Sequence, residues 1–198
     1  MIIVFCGPDG CGKTSAAIKL AAVLNAKGGA KFTEKAYQYG ILPPLKTLLR
    51  HRSSPNSKRV VLDSGMVKPS SFVRLLPSFI WNVIDFFLGN FKSKQNYIFA
   101  RYYDDNYVQR SYRNFPRPLL RLGHLFVPVP DYIFVLDRNA STIRQQKPEL
   151  SIEEIQLQIS MFKQHFRNNN NFHVIDADQD IDEYIDHIAK VVQKDSNC

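Results

Sequence analysis

Residues 2–15 read Ile-Ile-Val-Phe-Cys-Gly-Pro-Asp-Gly-Cys-Gly-Lys-Thr-Ser. The apolar run from Ile2 to Cys6 is typical of a strand buried on both faces of a parallel sheet. It breaks into the pattern Gly7-x-x-x-x-Gly12-Lys13-Thr14, and good helix formers follow until Gly28. A strand, a glycine-rich loop and a helix in this order predict a phosphate-binding loop at a helix N-terminus. The alternative is a glycine-rich turn that holds no ligand.

Each part of this loop has a physical task. The glycines allow positive φ angles and a close backbone approach, so that consecutive N–H groups converge on phosphate oxygens. Lys13 is placed to reach the β- and γ-phosphates of a nucleotide, and the Thr14 hydroxyl can complete the shell of a Mg²⁺ ion that keeps most of its waters.

Beyond the loop, strands alternate with helices, which predicts one α/β domain over residues 1–198. We expect a three-layer P-loop NTPase fold, with about five parallel strands and helices on both faces. Further strands are predicted within Ala30 to Tyr39, at Val60 to Leu62 (a possible small one), and at Tyr97 to Ala100, Asp131 to Leu136 and Phe172 to Ile175. Helices are predicted at Leu45 to Arg50, Ser70 to Lys94 and Arg113 to Gly123, behind the capping box Ser151 to Glu154, and after Asp180.

The net charge of +8 is concentrated in the middle of the chain. Residues 44–121 hold fourteen Lys and Arg against four Asp and Glu, whereas residues 149–186 hold two against nine. A basic middle suits phosphate-bearing ligands, nucleic acid or an anionic membrane surface. Because no nucleic-acid-binding motif accompanies it, we expect small polyphosphate ligands and no nucleic acid.

The apolar residues 72–91 are a poor membrane span because they contain Arg74, Pro77 and Asp85. We expect a buried helix there and no membrane association. The alternative is a membrane-facing surface, because an aromatic patch lies beside basic residues. Its members are Phe79, Ile80, Trp81, Phe86, Phe87 and Leu88.

The three cysteines, Cys6, Cys11 and Cys198, show no metal-ligand spacing. An odd number without a signal peptide predicts reduced thiols and a cytoplasmic location. Cys11 is either a thiol whose pKa Lys13 lowers or a small loop residue without a chemical role.

Several features together resemble the thymidylate kinase family of nucleoside monophosphate kinases. They are Asp9 within the loop, Arg101 at a strand end, and a basic segment around Arg144 and Lys147 before a capped helix. The phrases Ile98-Phe-Ala-Arg-Tyr-Tyr-Asp-Asp105 and Lys147-Pro-Glu-Leu-Ser151 are similar to a bacterial thymidylate-kinase-like branch, whose members often belong to surface-glycan gene neighbourhoods.

The resemblance implies a kinase that uses ATP and Mg²⁺ to phosphorylate a nucleoside monophosphate, dTMP by default, or a similar small phosphorylated acceptor. It implies an acceptor-binding insertion at residues 41–95, a short lid at residues 138–150 and a possible homodimer. The residues expected to bind ATP are Gly7, Gly10, Cys11, Gly12, Lys13, Thr14 and Ser15. The expected catalytic residues are Asp9, Lys13, Arg101 and Arg144, and the expected acceptor-binding residues are Asp9, Arg50, Arg74, Arg101 and Tyr102.

One position departs from the family pattern, because Ala100 stands where the family has a metal-organising carboxylate. Asp104 or Asp105, a turn further on, or Asp137 at the next strand end could replace it. We expect Thr14 and Asp104 to serve the metal. The alternative is a catalytically weak, nucleotide-binding regulatory protein of surface-glycan biosynthesis.

Overall fold

The computed structural model describes residues 1–28, 30–43, 72–92 and 95–196. Five strands form one sheet in the order β2-β3-β1-β4-β5, and every neighbouring pair is parallel. The order places β1 at the centre and confirms the predicted count of five parallel strands. The strands are β1 (Ile2–Cys6), β2 (Phe32–Lys35), β3 (Asn96–Phe99), β4 (Tyr132–Asp137) and β5 (Phe172–Asp176).

Helices follow the strands and cover both faces of the sheet. Those in the described residues are α1 (Lys13–Ala26), α2 (Phe72–Lys92), α3 (Asp105–Val108), α4 (Arg117–His124), α5 (Ala140–Gln146), α6 (Ile152–Phe166) and α7 (Ile181–Ser196), with a 3₁₀ turn at Arg110–Tyr112. The predicted helix at Leu45 to Arg50 and the strand at Val60 to Leu62 lie outside the described residues.

The central strand shows how the two cores are separated. Ile3 and Phe5 belong to a cluster that includes Leu20 of α1 and Ile188 of α7. Val4, which lies between them, belongs to a second cluster that contains aromatic residues of α2. Alternate side chains of a strand point to opposite faces, so the strand alternation alone creates the three layers of a helix–sheet–helix fold.

Helix α2 explains the aromatic patch seen in the sequence. The helix continues through Pro77, and its inner residues Phe79 and Phe86 are buried in the second core cluster. Ile80, Phe87 and Leu88 lie on the outer side and are exposed. The patch is therefore split between core and surface. No helix in the described part of the chain is long and apolar enough to cross a membrane.

Helix α6 begins where the capping box predicts, but only half of the box forms. The Ser151 hydroxyl accepts a hydrogen bond from the backbone N–H of Glu154 at 3.3 Å. The Glu154 side chain is buried and accepts instead from Arg113 at 2.7 Å and from Gln158 at 3.0 Å. A local motif therefore also ties α6 to the segment before α4.

Candidate active site

The parallel sheet brings three chain segments to one edge. The glycine-rich loop follows β1, residues 100–105 follow β3, and Asp137 ends β4. Because β3, β1 and β4 are neighbours and parallel, their carboxyl ends lie side by side. This edge is where open α/β sheets bind ligands.

The backbone of the glycine-rich loop needs its glycines. Gly10 has φ 93°, and a Cβ at this position would lie 3.0 Å from the Cβ of Lys147. Gly12 has φ 102°, but a Cβ there would meet nothing within 4 Å. Gly12 is therefore required by backbone conformation alone, whereas Gly10 also makes room for the segment after α5.

Lys13 lies inside the loop instead of extending into solvent. Its side chain is only 6% exposed, and Nζ donates hydrogen bonds to the carbonyl oxygens of Gly7 at 2.8 Å and Pro8 at 2.7 Å. Thr14 and Ser15, the next two residues, are exposed in the first turn of α1. The loop thus presents two hydroxyl groups beside a buried ammonium group.

The Cys11 thiol does not have the lowered pKa that its position suggested. The side chain is buried, and this burial raises the pKa even though Lys13 opposes the change. Cys11 packs inside the loop, where its sulfur lies 2.7 Å from the place of a Cβ on Gly7. Of the two interpretations, the small structural residue fits the structure.

Asp9 is the centre of a charge cluster that joins three segments. Arg101 donates a hydrogen bond to Asp9 Oδ1, and Lys13 Nζ lies 3.8 Å from the same oxygen. Lys147 Nζ lies 3.5 Å from Oδ2. Burial alone would raise the pKa of Asp9, but the three cations outweigh it and hold the pKa below its ordinary value. Asp9 is therefore a stable carboxylate within a cluster of net positive charge.

Asp105 lies in the electrostatic field of this cluster. Burial is the main reason that the pKa of Asp105 rises to about 7, with Lys13 and Arg101 opposing the rise. The residue is only 3% exposed, and its side-chain Oδ1 is buried without a hydrogen-bond partner. An orphaned carboxylate oxygen near the loop fits the chemistry of a divalent cation, which oxygen ligands bind.

The other carboxylates proposed to replace the one missing at position 100 point elsewhere. Asp104 Oδ1 lies 2.8 Å from Nε2 of His165, in a cavity that Thr14 does not line. The expected pairing of Asp104 with Thr14 is therefore not what the structure shows. Asp137 pairs with Lys163 at 2.5 Å. Ala100 itself is buried in the core cluster that also contains residues of α1.

A cavity of about 470 Å³ opens beside the loop, and we call it the P-loop cavity. Its volume lies within the range of small-molecule sites. Thr14 and Arg101 both line it, so the loop and the end of β3 meet in one space. No local sequence pattern predicts most of its other lining residues, since they come from separate segments. They are Ala36, Tyr37, Asn82, Asn106, Gln109 and Tyr112.

Two expected site residues lie away from this cavity. Tyr102 is fully buried, and its hydroxyl donates to the carbonyl oxygen of Pro128 at 2.8 Å, so it is a core residue that cannot stack on a ligand. Arg144 is half-buried in the last turn of α5. The pKa of Glu153 is lowered mainly by hydrogen bonds from the Glu153 backbone and from Ser151. The charge of Arg144 lowers it to a smaller extent.

Lys147, directly after α5, is the basic residue of this segment that contacts Asp9. Helix α5 ends at Gln146, and Lys147 has the non-helical angles φ −144° and ψ 88°. This change of direction turns its side chain toward the loop. Arg50 lies outside the described residues, as does the side chain of Arg74. The described residues contain no group of three or more His, Cys, Asp or Glu side chains arranged to hold a metal.

Comparison with known proteins finds similarity in fold but none in sequence. No protein-family model matches the chain, and no curated protein is detectably similar in sequence. The crystal structure of thymidylate kinase from Ehrlichia chaffeensis is similar in fold, with a TM-score of 0.63 and 19% sequence identity. The match covers 97% of this chain and 98% of that chain. At this identity the likeness concerns the fold: the chain has the three-layer α/β fold of a P-loop kinase, similar to that of a thymidylate kinase.

Proposed function

We propose that this protein is an ATP- and Mg²⁺-dependent phosphotransferase that moves the γ-phosphoryl group of ATP to a nucleoside monophosphate, with dTMP as the default acceptor. The observation that carries this proposal is the shared cavity of Thr14 and Arg101, beside the charge cluster on Asp9. A kinase needs a phosphate-binding loop and an acceptor site in contact, because phosphoryl transfer depends on positioning and on neutralising oxygen charge.

The loop would bind the phosphates of ATP. Backbone N–H groups at the N-terminus of α1 and the ammonium of Lys13 supply positive charge there. Lys13 is buried and hydrogen-bonded to two loop carbonyls, so its position is fixed before any ligand arrives. Fixed donors cost little reorganisation when charge moves during the transfer.

The Thr14 hydroxyl and the Asp105 carboxylate are the groups that would hold Mg²⁺, in part through water. When bound, Mg²⁺ supplies neutralising charge to phosphate oxygens. Asp105 fits this task because its Oδ1 is unpartnered and buried near Lys13 and Arg101. Mg²⁺ usually takes only one or two carboxylates and completes its shell with water and phosphate, so a large protein ligand set is unnecessary.

The P-loop cavity would bind the acceptor. Arg101 offers a planar guanidinium that suits a phosphate group, and its ion pair with Asp9 fixes its orientation. Asn82 and Gln109 supply amide groups that can donate to and accept from a nucleobase edge. Tyr37 is held in place by an edge-on contact with Phe86. Arg50 and Arg74 remain predictions for further contacts with the acceptor.

The cluster on Asp9 would connect acceptor and lid. Residues 138–150 form the proposed lid, and Lys147 is its contact with the loop. Because Asp9 holds Lys13, Arg101 and Lys147 within one cluster, the three cations would neutralise negative charge that passes from donor to acceptor. We also propose that the protein forms a homodimer. Analytical ultracentrifugation measures this, and a monomer at all concentrations would contradict it.

A coupled assay of ADP release tests the kinase proposal directly. We expect ADP release to require ATP and Mg²⁺ and to rise severalfold on addition of a nucleoside monophosphate. Sugar phosphates are tested in parallel as a second class of acceptors. A Lys13→Ala variant serves as the control for contaminating kinases. ATP binding without stimulation by any acceptor would overturn the proposal.

Ala100 is the observation that favours the second candidate, a nucleotide-binding regulatory protein of surface-glycan biosynthesis with little turnover. In this case ATP binds, but the transfer step lacks its metal-organising carboxylate. The Ala100→Asp variant separates the two candidates. A large gain in rate would favour the second candidate, a former kinase that lost activity at this position.

A further inference from the structure

A second cavity is separate from the P-loop cavity and has no role in the proposed reaction. It has a volume of about 770 Å³ and shares no lining residue with the P-loop cavity. Helices α3, α4 and α6 border it. We call it the histidine cavity, since its polar wall contains Asp104, Tyr107, Arg117, Arg121, His124 and His165.

Helix α4 directs three basic side chains toward this cavity. Arg117, Arg121 and His124 are spaced i, i+4 and i+7, which places them on one face of a helix. All three line the cavity. Within the described residues, neither arginine forms an ion pair with a carboxylate. Two permanent positive charges therefore border the cavity without an ion-pair partner in the described part of the chain.

The histidines are held in place by one buried carboxylate. The Asp104 side chain is 4% exposed, and its Oδ1 lies 2.8 Å from Nε2 of His165 and 3.7 Å from Nδ1 of His124. This carboxylate is the one negative group among the lining residues. Against the two arginines, it leaves the wall with a net positive charge.

Tyr107 completes a fixed arrangement of the wall. Its ring stacks on the His165 ring with centroids 4.6 Å apart, and the guanidinium carbon of Arg117 lies 5.7 Å from the Tyr107 ring centroid. Arg117 also donates a hydrogen bond to the Tyr107 carbonyl oxygen at 3.1 Å. A basic wall that is already ordered loses less entropy when an anion binds.

The remaining lining tells what kind of anion fits. Val108, Met161 and Phe166 supply apolar surface to the same cavity, which is far larger than a bare oxyanion needs. Arginine pairs suit the oxygens of phosphate, and an apolar wall suits an organic group attached to it. We propose that the histidine cavity binds a small phosphomonoester, with its phosphate on Arg117 and Arg121 and its organic part on the apolar wall.

Nuclear magnetic resonance of the histidine rings tests this site without any reference to kinase activity. The probe is ribose 5-phosphate, titrated into a Lys13→Ala variant so that binding at the glycine-rich loop is weakened. The ring signals of His124 and His165, assigned with His→Gln variants, are expected to shift and saturate. Ribose without phosphate is the matched control and is expected to leave both rings unchanged.

A double variant then tests the residues that carry the proposal. Arg117→Ala with Arg121→Ala is expected to weaken ribose 5-phosphate binding at least tenfold, while the paired Arg→Lys variant keeps part of the affinity. Circular dichroism checks that both variants are folded. Unmoved ring signals in the parent, or equal affinity in a folded double-alanine variant, would overturn the site. Inorganic phosphate binding as tightly as ribose 5-phosphate would overturn the assignment to a phosphomonoester.

Discussion

At the scale of single residues, the candidate site depends on which carboxylate is buried near Lys13. Asp104 and Asp105 are adjacent in sequence, yet one pairs with His165 and the other lies in the field of Lys13 and Arg101. Both are buried, so exposure does not distinguish them. Their partners distinguish them, because Asp104 contacts His165 whereas Asp105 interacts electrostatically with Lys13 and Arg101.

Asp105→Asn is predicted to change how stability depends on pH. Burial raises the pKa of Asp105 from an ordinary value of 3.8 to about 7. Between these values the folded protein binds more protons than the unfolded chain, so this group makes stability fall as pH rises from about 4 to about 7. The asparagine variant lacks this loss and should be more stable at pH 8 by about 1–3 kcal/mol.

Urea unfolding of wild type and Asp105→Asn at pH 5 and pH 8 measures this difference. A matched Asp137→Asn variant controls for removal of a carboxylate from another strand end. An equal change in unfolding free energy between the two pH values in the wild type and both variants would contradict the prediction.

Ala100→Asp is predicted to lower stability without a gain in rate. Ala100 is 2% exposed and packs in the core cluster, so the new carboxyl group would be buried without a designed partner. Such burial costs about 1–3 kcal/mol. Asp105 already supplies a carboxylate near the loop. Urea unfolding and steady-state kinetics measure both effects, with Ala100→Ser as the control for size, and a tenfold rise in kcat would contradict the prediction.

At the scale of elements, the end of α5 determines which cation reaches the loop. Gln146 is the last helical residue, and Lys147 then leaves the helical conformation and lies 3.5 Å from Asp9. Arg144 remains in the last turn of the helix. Gly10 leaves room for this approach, since the Cβ of Lys147 lies 3.0 Å from where a Cβ would stand on Gly10. The resemblance to thymidylate kinases implied Arg144 as the lid residue, whereas the geometry favours Lys147.

Lys147→Ala is therefore predicted to lower kcat by about 10²-fold, comparable to the loss of one preorganised donor from a transition state. Arg144→Ala should change kcat by less than about threefold, because surface charges away from the reacting groups contribute little. Lys147→Arg is the matched variant that keeps the charge and should retain most of the rate. A larger loss from Arg144→Ala than from Lys147→Ala would return the lid role to Arg144.

At the scale of the whole molecule, local patterns predicted the elements and long-range packing determined the site. The loop between Cys6 and Lys13 was predictable because all its parts are neighbours in sequence. Strands β3 and β4 were predictable because buried parallel strands are continuous apolar runs, whereas β2 mixes Phe32 with polar residues. The order of the sheet, with β1 at the centre, places these elements so that their carboxyl ends meet.

The P-loop cavity was not predictable in the same way. Tyr37, Asn82 and Gln109 come from three distant segments, and each looks like an ordinary polar or aromatic residue in sequence. Tyr102 shows the opposite error, because the resemblance implied a contact with the acceptor while its side chain turns into the core. Side-chain direction at a strand end depends on the next turn, which composition does not reveal.

The central claim is that the γ-phosphoryl group passes from ATP to a nucleoside monophosphate in one active site. The most direct measurement is ³¹P nuclear magnetic resonance of ATP, Mg²⁺ and dTMP incubated with the wild-type protein and, separately, with Lys13→Ala. The account predicts that signals of ADP and dTDP grow in equal amounts with wild type and stay absent with the variant. Two results, obtained with dTMP and with every other nucleoside monophosphate tried in its place, would contradict it. One is growth of ADP and inorganic phosphate signals without a nucleoside diphosphate product, and the other is no change in the ATP signals.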